Sequence, residues 1–196
     1  AQPAKKADTV SSKALRGAML SATDLSDSDT AEQLIQLAEA GKLNTVIVNI
    51  KDDEGELNIP VETDMVSDVE NLQAKKAEKL AQNMRELSKN GVHVVGRIYC
   101  FQDEAASKQN SDLSMEYQNG GRWSDYNSEH WLDPTNPDVV TYLCDIAQSA
   151  VDAGCDEILL DEFTFPLRGH IDRIEFFNEP DSQAAALLDV MQEIQN

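Results

Sequence analysis

The stretch A-G-C-D-E-I-L-L-D-E-F-T-F-P, residues 153–166, decides the fold of this chain. Gly154 stops a helix, and the apolar run Ile158, Leu159, Leu160 that follows has the length of a short buried strand. Two carboxylates, Asp161 and Glu162, stand at the C-terminal tip of that run. In parallel α/β proteins the loops beyond the strand ends build the pocket, so an acid at such a tip is a candidate for chemistry. The same acid can instead cap the next helix or hold a neighbouring loop.

Outward from that stretch, strand and helix patterns alternate. Residues 14–20 form a first short apolar strand; Ser28 and Asp29 precede a helix over 31–40, which Gly41 stops. The β-branched run T-V-I-V-N-I, 45–50, leads into the polar turn K-D-D-E-G-E. Residues 69–90 read as an amphipathic helix with Leu72, Leu80, Met84 and Leu87 on one face, and 92–101 as a third strand. Pro137 opens a helix that Gly154 closes, 158–163 is the fourth strand, and 183–194 is a last helix.

About four β-α units follow, with helices too long to be hairpin loops, so the strands should be parallel. Two architectures fit: a doubly wound sheet, or the first half of a (β/α) barrel, whose full form needs ~250 residues. Length alone prefers the doubly wound sheet. A half-barrel would be truncated at its C-terminus or completed by another chain, with self-association through its open edges.

Composition narrows the function. The 196 residues suit one domain, 14–196, behind a polar tether at 1–13. With 36 Asp and Glu against 16 Lys and Arg, the net charge of -20 opposes binding to nucleic acid or an anionic bilayer but not to a neutral sugar. No apolar run is long enough for membrane insertion. The opening A-Q-P-A-K-K-A-D lacks the apolar core of a signal peptide and suits a tether or a cleaved mature N-terminus, so an extracellular or cell-envelope location is expected. Cys100, Cys144 and Cys155 lack C-x-x-C spacing and sit in apolar contexts, as buried thiols do. His93, His130 and His170 offer no metal-ligand spacing, and no phosphate loop, dinucleotide fingerprint or nucleophile elbow is present, so no metal or cofactor is expected.

Charged groups gather at successive strand ends: Lys51, Asp52 and Asp53; Arg97 and Tyr99, then Asp103; and Asp161. Strand alternation puts Arg97, Tyr99 and Phe101 on one face, and Asp161 and Phe163 together, so Asp161 and Glu162 should not point into one pocket. An arginine beside a carboxylate holds it ionised, which suits a nucleophile or electrostatic stabiliser; it also suits a structural ion pair. The long connection N-G-G-R-W-S-D-Y-N-S-E-H-W-L-D-P-T-N-P, 119–137, concentrates Trp123, Tyr126 and Trp131 among polar residues, as a carbohydrate-binding loop would. For Trp131, followed by Leu132, burial is the expected role.

The blocks V-I-V-N-I-K-D-D-E-G, V-V-G-R-I-Y-C-F-Q-D, R-W-S-D-Y, W-L-D-P-T-N-P and C-D-E-I-L-L-D-E-F-T-F-P occur in an order that resembles a bacterial family known as the putative glycoside hydrolase domain, of the TIM-barrel glycosidase superfamily. The resemblance runs from Arg16 to Pro166. It implies a TIM-type (β/α) barrel, of which this chain holds the first half or so, and makes Asp161 the catalytic carboxylate. It also places Asp52, Arg97, Asp103 and Asp133 as pocket-lining or loop-fixing residues. Asn49, Glu162 and Thr164 depart from the family's usual acid, aromatic and arginine, and the later strands that would carry the partner acid have no counterpart.

The expected mechanism is hydrolysis of a poly- or oligosaccharide by two carboxylates flanking the glycosidic bond. Asp161 would be nucleophile or oxocarbenium stabiliser beside Arg97, with Glu162 from the following loop as candidate acid. Asp52, Tyr99, Asp103 and Asp133 would hold substrate, with Trp123 or Tyr126 stacking on a sugar. The alternative is a non-catalytic carbohydrate- or envelope-binding module on the same scaffold.

Overall fold

The computed structural model describes residues 14–67 and 74–195. The expected tether, and the expected start of the second helix with Leu72, lie outside the described residues. In chain order the elements are β1 (Gly17–Leu20), α1 (Ala22–Leu25), α2 (Ser28–Glu39), β2 (Thr45–Lys51), α3 (Ala74–Lys89), β3 (His93–Tyr99), α4 (Glu104–Gln109), β4 (Glu116–Tyr117), α5 (Pro137–Asp152), β5 (Glu157–Asp161), β6 (Ile174–Glu175) and α6 (Gln183–Ile194).

Four strands pair in parallel in the order β1-β2-β3-β5, and β4 and β6 form a separate antiparallel ladder. The strand order never reverses. Right-handed crossovers that always step the same way leave every helix on one face, whereas a doubly wound sheet needs a reversal. Burial agrees. Val46, Val48 and Ile50 of β2 and Val94 and Ile98 of β3 are buried, while their neighbours Ile47, Asn49, Arg97 and Tyr99 on the other face are only half-buried. The uncovered face carries Met19, 55% exposed, and Leu159, 41% exposed, on its two edge strands. This is half of a (β/α) barrel seen from within; length had favoured the other architecture because it carries no information about strand order.

The helices form where capping and apolar spacing coincide. Asp27 accepts the backbone N–H of Thr30 and starts α2 a turn earlier than Ala31. Pro137 opens α5 beneath the Asn136 cap, and the helix buries Val139, Tyr142, Leu143 and Ile146. Each such side chain contributes roughly 1.5–3 kcal/mol of transfer free energy. Gly96 lets β3 approach its neighbours: a Cβ there would lie 2.7 Å from Cys155 Sγ and 2.9 Å from an Ile50 methylene. Cys100 and Cys155 are buried thiols, each pushed up to about 12 by desolvation; Cys144 is only partly buried, against expectation. No described helix is long and apolar enough to cross a membrane.

Candidate active site at the C-terminal rim

The C-terminal ends of the four strands and the loops beyond them carry the acids singled out above. Asp161 is the last residue of β5 and lies in register with Tyr99 of β3. Its Oδ2 accepts from Arg97 Nε at 2.6 Å and from Arg97 Nη2, and its Oδ1 accepts the backbone N–H of Glu162 at 2.9 Å. Arg97 Nη2 also donates to the Tyr99 hydroxyl at 2.6 Å, its Nη1 reaches Asn49 Oδ1 at 3.4 Å, and the guanidinium carbon lies 4.3 Å from the centre of the Tyr99 ring. Asn49, Arg97, Tyr99 and Asp161 thus form one network on the uncovered face.

Glu162 departs from strand geometry with φ 45°. That left-handed residue ends the alternation, so Phe163 does not share a face with Asp161 but packs on Phe101 at 5.3 Å between ring centres. Phe101 in turn is fully buried rather than lying beside Arg97 and Tyr99, since β3 ends at Tyr99. Glu162 lines a cleft of about 300 Å³, which Asp161 does not line.

Several expected substrate ligands are structural. A register shift between Asn49 and Lys51 turns Lys51 into the core, where its ammonium lies 3.0 Å from Asp103 and donates to the carbonyl of Tyr99. Asp103 is fully buried, caps α4 through the N–H of Ala106 at 2.7 Å, and sits where a Cβ on Gly55 would collide with it at 2.0 Å. It also faces Tyr142; desolvation first, then Asp103, pushes that phenol well above its usual range. Asp103 has no path to a substrate.

Asp133, 1% exposed, accepts from the N–H and hydroxyl of Thr135 and from the N–H of Phe177 at 2.6 Å. It ties the loop before α5 to the segment after β6, and burial raises its carboxyl above the usual range despite those donors. Trp123 is fully buried, with its indole N–H donating to the carbonyl of His170, so it presents no face to a sugar. Asp103, Asp133 and Trp123 are thus all buried, each fixed by hydrogen bonds within the loops beyond the strand ends.

Asp52 is half-buried and closes its turn by accepting the N–H groups of Glu54 and Glu56. Desolvation raises its carboxyl, outweighing those donors. Tyr126 is 71% exposed, with its ring edge-on to His170. Trp131 is buried as expected.

Pattern reading passed over Glu129. The segment 129–132 runs antiparallel to 101–103, through the N–H of Asp103 to the His130 carbonyl and the N–H of Leu132 to the Phe101 carbonyl. Glu129 stands on that segment between two clefts, the 300 Å³ cleft of Glu162 and one of about 760 Å³ bounded by Asp53, Glu104 and His130. Desolvation, then the charge of Asp125, raises its carboxyl. The only sequence signal was the S-D-Y-N-S-E run itself, with an acid four residues after Asp125. Among the described residues no cluster of three or more His, Cys, Asp or Glu is placed to hold a metal ion.

A model of the family described as "Putative glycosyl hydrolase domain" matches residues 17–196. No curated protein matches. Among solved structures, a hypothetical protein from Ruminiclostridium thermocellum ATCC 27405 is 26% identical, with a TM-score of 0.76, over 93% of this chain and 91% of that one. A GH31 α-xylosidase from a soil metagenome, 15% identical, has a TM-score of 0.55 over 92% of this chain and 27% of its own. The α-galactosidase of Thermus thermophilus, also 15% identical, has a TM-score of 0.55 over 84% and 32%. The chain thus spans about a quarter to a third of these two glycosidases, and the likeness to them is one of fold.

Proposed function

This chain belongs to the family of putative glycosyl hydrolase domains, and from that premise we propose that it hydrolyses glycosidic bonds of a poly- or oligosaccharide at the rim that holds Asp161. One observation carries the proposal. Asp161 ends a parallel strand on the inner face of the half-barrel and is oriented through both oxygens, by Arg97 and by the Glu162 N–H. Carboxylates fixed at such strand ends are where (β/α) barrels place their chemistry.

Asp161 is the nucleophile or the stabiliser of the oxocarbenium-like transition state. The proton donor is a glutamate on the same rim. Glu162 is exposed there; Glu129 lines the same cleft, and desolvation and then the charge of Asp125 raise its carboxyl above the usual range, as a general acid requires. Tyr126 offers the exposed aromatic face on the long loop. We propose that the chain acts outside the cell or at its envelope, in keeping with a polymeric substrate.

The test is release of nitrophenol from a panel of p-nitrophenyl α- and β-pyranosides by the wild-type chain, Asp161→Asn and Glu129→Gln. Hydrolysis that Asp161→Asn abolishes in a folded protein supports the proposal; hydrolysis unchanged in that variant removes it. A carbohydrate-binding module without catalysis is favoured by one observation, that Arg97 already engages Asp161 Oδ2 twice. Saccharide binding with no turnover on any member of the panel would decide for it.

A further inference from the structure

The parallel sheet stops at two open edges. Among the described residues β1 pairs only with β2 and β5 only with β3, so the outer side of each meets no other strand. Such edges are templates for pairing with another chain. Between them lies the uncovered face, and its apolar side chains are most open where the sheet runs out. Met19 on β1 is 55% exposed and Leu159 on β5 is 41% exposed, while Ile47 between them is half-buried. The charged side chains of that face are met within the sheet, Asp161 by Arg97 and Glu157 by His93, so it contributes little to the net charge of -20.

A groove of about 600 Å³ continues round the β5 edge. Ile158 and Leu160 on the other side of β5 line it, together with Val151 of α5 and Met191 and Ile194 of α6. In a (β/α) barrel the strand after β5 runs there, beneath the helix that leads to it.

A second copy of this chain fits both edges and the groove at once. Turned half a revolution about the barrel axis, it sets its β1 beside β5 and its β5 beside β1, with every strand parallel. One two-fold axis thus closes both edges with the same contact made twice. The sum is eight strands, the number whose interior is just wide enough for side chains to fill. The Ruminiclostridium thermocellum protein is matched over 91% of its chain, so that chain too is little more than these four β-α units.

We propose that two copies of this chain associate through β1 and β5 into a closed eight-stranded barrel. Asp161 stands on the β5 edge itself, so the partner's β1 forms the missing wall of the rim that holds it. The association goes beyond the hydrolytic reading and does not depend on it.

Sedimentation equilibrium of the full chain tests it, at physiological ionic strength, where repulsion between the acidic surfaces is screened beyond ~8 Å. The expected result is twice the monomer mass. Met19→Lys and Leu159→Lys each put an ammonium at one edge of the inner face. Both positions are open in the single chain, so the fold is retained, which circular dichroism checks. Lysine lowers the net negative charge, so lost association cannot come from added repulsion. Each variant should weaken the dimer by at least about tenfold. A wild-type chain that stays monomeric, or a dimer that both variants leave intact, overturns the proposal. Nitrophenol release is a separate readout. A dimer that hydrolyses nothing loses the enzymatic proposal and keeps the association; a monomer that hydrolyses does the reverse.

Discussion

Arg97 grips Asp161 from the adjacent strand, with Nε and Nη2 on the same carboxylate oxygen. The pair joins Asp161 at the tip of β5 to Arg97, two residues before the end of β3, and both side chains remain partly open, 34% and 19% exposed. Such a pair adds little to stability, because solvent screens it; exposed pairs contribute ~0.2–1 kcal/mol. Asp161→Asn is therefore expected to unfold within about 1 kcal/mol of wild type while hydrolysis falls to background. Urea titration and nitrophenol release on the same preparation check both halves.

Glu162 holds a backbone conformation that side chains other than glycine resist, at a cost of roughly 1–2 kcal/mol. Glu162→Gly should relieve that strain and leave stability unchanged or raised by up to about 1 kcal/mol, the flexibility of glycine in the unfolded chain offsetting part of the gain. With Glu129 as proton donor the variant retains hydrolysis. Lost turnover in a folded Glu162→Gly protein would return the acid role to Glu162.

Glu129 bears the opposite expectation. Removal of a general acid typically costs 10²–10⁴-fold in rate, approximately, and Glu129→Gln should fall in that range. Because desolvation and Asp125 raise the carboxyl, the alkaline limb of kcat/KM should lie above the ordinary glutamate range. Asp125→Asn removes that charge and should move the limb toward lower pH. A limb that does not move on this substitution argues against Glu129.

What could be read from the sequence were the features set by local pattern. The strand at 45–50, the centre of the strand read at 92–101, the Pro137 helix start and the α6 bounds at 183–194 all follow from periodicity and capping. The Arg97–Asp161 pairing followed from alternation once the strands were parallel neighbours. The roles of Asp103, Asp133 and Trp123 did not, because each depends on hydrogen bonds within the loops beyond the strand ends. No period or spacing encodes which of their acids are buried. Lys51 was misplaced for a smaller reason: one extra residue in β2 reverses which face its side chain meets.

That reversal makes Lys51 a stability residue. Its side chain and that of Asp103 are both fully buried, 3.0 Å apart, and Lys51 also binds the carbonyls of Tyr99 and Gln102 at the tip of β3. Lys51→Met leaves Asp103 as a buried charge without its counter-ion, a change that costs ~3–5 kcal/mol. The urea midpoint of the variant should drop accordingly with the m-value unchanged. A loss below about 1 kcal/mol would show that the N–H of Ala106 and the Tyr142 hydroxyl satisfy Asp103 without the lysine.

Asp133 separates burial from hydrogen bonding through pH. Burial raises its folded-state pKa above the unfolded value, although Phe177 and Thr135 donate to it. Between those two values the folded chain binds more protons than the unfolded one, so the contribution to stability is complete below the ordinary carboxyl pKa of ~3.9 and is lost as pH rises through the folded value. Asp133→Asn cannot titrate and turns an amide N–H or a single acceptor toward donors that the carboxylate met with two oxygens. It should be less stable than wild type throughout, by about 1–3 kcal/mol for the orphaned Phe177 N–H. The deficit should be largest in acid and shrink toward neutrality, as the wild type loses its proton-linked contribution. Urea unfolding of both proteins from about pH 3.5 to about pH 7 reads the difference directly, the other carboxylates cancelling between them. A deficit that grows toward neutrality would mean that the three donors outweigh desolvation at Asp133.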